Sequence, residues 1–205
     1  MIAHACSTEL SAERFEVAAC SCSLVPDACG DQHAVWQDDL GNALFAVVDG
    51  LGHGPLAAEA ALTAIDALRD PRGMELSRRL QLCHAALQGT RGAAVMVASH
   101  DPHESNLHLM GVGNVGVTMF RRATAERSTV MGMPGIVGHR LPKQLRESRR
   151  EIRPGDTLVI ATDGVGPFIP VGETAQLAPL SVAHSILGAS TTIDDALVLV
   201  ARLLA

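Results

Sequence analysis

The sequence has no tyrosine, one tryptophan and four phenylalanines in 205 residues. With so few rings, base stacking is a poor option. Basic residues are also short: 16 Lys and Arg stand against 22 Asp and Glu, a formal net charge of -6. That balance disfavours a grip on a phosphate backbone, so nucleic acid is not an expected partner. No apolar run reaches the length needed to cross a bilayer, and no basic region followed by an apolar one opens the chain. A cytoplasmic protein with no membrane partner is the expectation. The five cysteines (Cys6, Cys20, Cys22, Cys29 and Cys83) are odd in number and lack further ligands at zinc-like spacing. They are expected to be reduced thiols, mostly buried, with Cys20 and Cys22 on one face of a strand.

What is present is apolar: 47% of the residues are hydrophobic, enough for a substantial core in one domain spanning 1–205. The run Ala43 to Val48 reads as a buried strand that ends on Asp49, followed by Gly50, Gly52, Gly54 and an Ala-rich helix to about Arg69. A carboxylate delivered into a glycine-rich turn places a hard oxygen ligand beside exposed backbone carbonyls, which suits Mg²⁺ or Mn²⁺. Taken alone, Asp49-Gly50 is equally a turn. Two more acid sites sit at the ends of apolar runs: Asp163-Gly164 closes DTLVIATDG, and Asp194-Asp195 opens the run Ala196 to Leu204. Three such sites could converge on one pair of cations.

The remaining segments read as strands and hairpins around a block of helices. Phe15 to Val25 and His33 to Gln37 are expected to form an antiparallel meander with the Asp49 strand. Asp70-Pro71-Arg72-Gly73 stops the first helix, and Glu75 to Leu87 forms a second with one apolar stripe. His84 reads as a packed helix residue. His100, His103 and His108 read as solvated loop histidines at a hairpin tip. Gly111 to Gly116 matches GxGxxG, but a strand, Val115 to Phe120, follows where a dinucleotide site needs a helix. A tight antiparallel turn is expected there instead. Lys143, Arg146, Arg149 and Arg150 read as a solvated basic face. A loop with Pro167 and Pro170 leads to a helix near Leu180 to Leu187. The pattern predicts an α+β domain, antiparallel sheets covered by helices.

VVDGLGHG, GDTLVIATDG and DDALVLV, in this order, resemble the metal-binding motifs of the PPM serine/threonine phosphatases, and most closely the SpoIIE branch. CGDQHAVW, CHAALQGTRGAA, MGVGNVG and PGIVGHRLP resemble the small RsbX-type phosphatases of stress signalling. The likeness runs from about Phe15 to Leu204. It implies a four-layer α-β-β-α sandwich with two central antiparallel sheets. It also implies two Mn²⁺ or Mg²⁺ ions, with Asp49 bridging both and the Gly50 carbonyl holding one. Asp163 and Asp194 would complete the shell of the second ion, with Asp195 the weaker choice of its pair. Asp31 would either reach the metals through water or serve as a turn or cap residue. His53 would either donate a proton or hold its loop. The arginine with which eukaryotic members hold the substrate phosphate has no match, since Arg14 precedes the first strand. Two ions would neutralise phosphoryl charge and activate water, so no Ser or Cys nucleophile is needed.

The implied function is a monomeric phosphatase acting on phosphoserine or phosphothreonine of stressosome proteins with anti-sigma-factor-antagonist-like domains. A non-catalytic binding module on the same fold and a hydrolase of small phosphoesters are the competing readings.

Overall fold

The computed structural model describes residues 6–26, 28–69, 74–165, 177–189 and 194–205. In chain order the strands are β1 (Cys6–Ala12), β2 (Phe15–Cys22), β3 (Asp31–Gln37) and β4 (Ala43–Gly50). Helices α1 (Pro55–Leu68) and α2 (Leu76–Ala86) follow. Then come β5 (Ala93–His100), β6 (Asn106–Val112), β7 (Gly116–Phe120), β8 (Arg127–Met131), β9 (Ser148–Glu151) and β10 (Thr157–Ala161). A short 3₁₀ turn (Asp163–Val165), α3 (Pro179–Gly188) and β11 (Ala196–Leu203) complete the order.

These strands form two antiparallel sheets. One has the order β1-β2-β11-β10-β7-β8 and the other β3-β4-β5-β6-β9. Three buried clusters separate four layers. Phe45, Val47, Met96, Ile160 and Leu199 are among the side chains packed between the sheets, where the Phe15 and Phe45 rings meet edge to face at 5.0 Å. Leu44, Ala46 and Val48 face α1 and α2, while Val198 and Val200 face α3. Because β4 and β11 are covered on both faces, their sequences are continuous apolar runs instead of alternating ones. The α-β-β-α sandwich implied by the resemblance is the observed architecture.

Several local expectations change. Phe15–Cys22 does not join a meander with β3 and β4; it pairs with β1 and β11 in the other sheet. Only β3 and β4 form the expected hairpin. The glycines of Gly111–Gly116 make no hairpin turn either, because β6 and β7 lie in different sheets and this segment is the crossover between them. Arg149 and Arg150 belong to strand β9 at a sheet edge. His100 is 3% exposed at the end of β5, its ring 5.1 Å from that of Phe15. His108 lies on β6 between Glu147 and Glu104, at 2.8 Å from each. Burial alone would lower its pKa, but the two carboxylates outweigh it and raise the value. Of the three, only His103 is an exposed loop histidine. The stop at Asp70–Gly73, the loop with Pro167 and Pro170, and Thr191 to Ile193 lie outside the described residues.

Candidate metal centre

Asp49 sits at the end of β4, directly opposite Asp31 at the start of β3. The carboxylate is held at this point because the next residue, Gly50, lies against the backbone of α1. A Cβ there would collide with the Ala57 carbonyl, so a larger residue would push the helix away. The Gly50 amide donates to the Gly30 carbonyl at 2.9 Å, which ties the end of β4 to the chain entering β3. Pro55 at the first turn of α1 suits its start, since that position needs no amide donor.

The other sheet delivers its acids to the same end. Asp163 begins the 3₁₀ turn just after β10, and Asp194 precedes β11, its partner in the sheet. Thr162 joins the two sheets. Its hydroxyl donates to Asp31 Oδ2 at 2.7 Å and accepts the Leu197 amide at 2.9 Å. No sequence signal marks this residue; it is one place after a strand and one before an Asp. Asn114 Nδ2 donates to Asp163 Oδ2 at 2.6 Å, so the crossover after β6 also steers an acid of the site.

Asp194 and Asp195 separate cleanly. Asp195 is 3% exposed and accepts the amides of Leu24 at 2.8 Å and Gly30 at 2.7 Å, one on each carboxylate oxygen. It fixes the backbone that leads into β3. Asp194 is half-buried, and one oxygen accepts the Asp195 amide. Asp194 is thus the acid of the pair with one carboxylate oxygen that takes no hydrogen bond among the described residues.

Electrostatics decide what the cluster fits. Burial, then repulsion from Asp49, pushes Asp31 up to about 8 against the opposing Thr162 hydrogen bond. Burial, then repulsion from Asp163 and Asp194, pushes Asp49 up to about 7. None of the ion pairs among the described residues involves these acids. Gathered negative charge without a protein cation, presented through hard oxygens, fits divalent Mg²⁺ or Mn²⁺. Among the described residues no three carboxylate, imidazole or thiol side chains form a ready ligand set for one ion. The acids share a field more than a contact, which suits ions that keep several waters.

The thiols are poor nucleophile candidates. Cys20, Cys22, Cys29 and Cys83 are unbridged. Burial raises Cys22 and pushes both Cys29 and Cys83 up to about 12, far from the thiolate form at neutral pH. Cys20 and Cys22 share the α3-facing cluster, as their spacing predicts; Cys29 is only half-buried. The Cys6 side chain lies outside the described residues. His84 accepts the Gly138 amide at 2.9 Å, a packing role. His53 is exposed, and its carbonyl accepts from Arg91. Arg14 bonds the Pro102 carbonyl, beside the Gly41 turn at the far end of the β3–β4 hairpin.

Residues 39–166, more than half of the chain, match the family described as Stage II sporulation protein E (SpoIIE). The chain belongs to the SpoIIE family of PPM-type protein phosphatases. The phosphoserine phosphatase RsbX of Bacillus subtilis (strain 168) is 24% identical over 137 residues, covering 67% of each chain. A structure from work on the bacterial stressosome and its adaptation to secondary-messenger signalling is 30% identical. It covers 92% of this chain and 98% of its own, with a TM-score of 0.82. A crystal structure of RsbX in complex with magnesium is 20% identical, covers 97% of this chain and 100% of its own, and has a TM-score of 0.79. No helix among the described residues is long and apolar enough to cross a membrane.

Proposed function

We propose that this SpoIIE-family chain is a metal-dependent phosphatase that removes phosphate from serine or threonine of stressosome-type phosphoproteins in the cytoplasm. The observation that carries the reading is the convergence of two acids from each sheet at one end of the sandwich, where Asp31 and Asp49 are desolvated by burial and repelled by their neighbours. Asp49 is the acid that two Mn²⁺ or Mg²⁺ ions would share, with the Gly50 carbonyl holding one. Asp163 and Asp194 would serve the other, and Asp31 would reach the ions through water. Bound there, the ions would supply charge neutralisation for phosphoryl oxygens and would acidify a water at neutral pH.

The chain's own residues do the positioning. Thr162 fixes Asp31, Asn114 fixes Asp163, and Asp195 fixes the backbone between β2 and β3. Residues 1–205 act as one domain in this reading, supported by the pairing of β2, near one end of the sequence, with β11, near the other. The partner class is supported by the relatives: one is a phosphoserine phosphatase by name, and another comes from a stressosome study.

Phosphate release decides the matter when measured with Mn²⁺, with Mg²⁺ and after chelation. Three substrates are needed: a phosphorylated anti-sigma-factor-antagonist-like domain, a short phosphopeptide from it, and a nucleotide. The domain should be turned over far better than the peptide, the nucleotide poorly, and nothing after chelation. Preference for the nucleotide would make the chain a hydrolase of small phosphoesters. No release with either metal would leave a binding module.

A further inference from the structure

A phosphate monoester dianion would meet the surrounding carboxylates as well as the bound ions, so a cation supplied by the chain would strengthen its hold. The sequence offers no arginine at the first strand for this purpose, and Arg14 is engaged with the Pro102 carbonyl. Arg91 stands in a different position. It lies three residues before Ala94, which is directly opposite Asp49 in the β4–β5 pair. Its Nη1 atom donates to the His53 carbonyl at 3.4 Å, and a Cβ on Gly52 would come within 2.9 Å of that same nitrogen. The guanidinium therefore lies along the loop that follows Asp49.

The backbone under Arg91 is clamped from two sides. The Leu51 amide donates to the Gly92 carbonyl at 3.0 Å, and His139 Nε2 bonds the Arg91 carbonyl at 2.9 Å. Gly92 permits this closeness: its φ is +75°, and a Cβ there would sit 2.6 Å from the His139 ring and 2.7 Å from the Val137 carbonyl. Above that fixed base the side chain is exposed and, among the described residues, forms no ion pair. Arg121, Arg149 and Arg153, by contrast, are paired with acids.

We propose that Arg91 binds the phosphate of the substrate, its guanidinium forming paired hydrogen bonds to phosphoryl oxygens at the rim of the acid cluster. The inference rests on the phosphatase reading above. A guanidinium suits the task because its planar fork meets two oxygens at once and stays charged.

The test compares wild type with R91A, R91K and the charge control R149A at saturating Mn²⁺. The readouts are KM and kcat on a phosphoserine substrate and calorimetric affinity for a phosphonate analogue of it. R91A should raise KM and weaken analogue binding by about ten- to hundredfold, the loss expected for a charge-assisted pair. R91K should recover part of this, while R149A, the Mn²⁺ dependence and the melting temperature stay at wild-type values. Unchanged KM and analogue affinity in R91A would overturn the proposal. So would an equal effect in R149A, or a loss in R91A accompanied by a lower melting temperature or altered Mn²⁺ dependence, which would mark a loop clamp. Wild type without any phosphate release would instead defeat the phosphatase reading, leaving the two failures distinguishable.

Discussion

At Thr162 a single hydroxyl serves both sheets, accepting the Leu197 amide of one and donating to Asp31 on the other. The residue is 3% exposed, so neither bond can be replaced by solvent without opening the interface. Thr162→Val keeps the shape and removes the hydroxyl. It should cost about 1–3 kcal/mol by leaving the Leu197 amide buried without its partner. Asp31 would also lose its orienting bond, and Mn²⁺ affinity should weaken by about 10–100-fold, as for groups that position metal ligands. Thr162→Ser should retain most of both. Thermal melts without metal and a calorimetric Mn²⁺ titration check the pair; wild-type affinity in the Val variant would make Thr162 a packing residue only. Asp49 and Asp163 stand where an apolar run stops and Asp194 just before one starts, so the sequence marks all three as candidates. It does not mark Thr162 and Asn114, because a side chain that positions an acid is defined by its neighbour in space and leaves no spacing in the sequence.

Elements carry the next level of precision. Helix α1 is rich in alanine because it packs very close to the sheet: Ala57, Ala60, Ala61 and Ala64 are all buried, and the Ala57 carbonyl occupies the space a Gly50 side chain would need. Gly50→Ala would therefore force α1 away from β4, costing about 1–3 kcal/mol as overpacking does. The shift would also carry Asp49 and the Gly50 carbonyl with it, so turnover should fall by about 10²-fold even at saturating Mn²⁺. Steady-state rates over a metal titration check this; a wild-type plateau would show that the helix is not what sets the position of Asp49. Strand β4 and helix α1 were readable from local pattern alone. The neighbours of β2 were not, since its partners β1 and β11 are set by burial across the whole chain and not by a nearby turn. The Gly111–Gly116 crossover was misread for the same reason: its glycines fit a hairpin locally, and only the two-sheet arrangement shows that they link layers. His100 and His108 looked like loop residues because β5 and β6 extend further towards their turn than the apolar run does.

At the scale of the whole molecule, the sandwich holds two strand ends from each sheet at one edge. The between-sheet core of Phe15, Phe45 and Ile160 fixes their spacing. Burial, and after it repulsion from neighbouring acids, leaves Asp31 and Asp49 with raised pKa values, and among the described residues no ion pair involves either. A fold that only needed to be stable would gain from replacing one of them, since removing a repelling carboxylate relieves strain in the metal-free state. Their retention makes sense if cations complete the site. The most direct measurement is phosphate release from a phosphoserine domain across a Mn²⁺ titration, run on wild type, Asp194→Asn and Asp49→Asn. The account predicts no release without metal and a saturating curve for wild type. Asp194→Asn should give a curve displaced to higher Mn²⁺, because one damaged shell refills by mass action. Asp49→Asn should stay near baseline throughout, because the acid shared by both ions is gone. Release that survives chelation, or an Asp49→Asn curve that reaches the wild-type plateau, would contradict it.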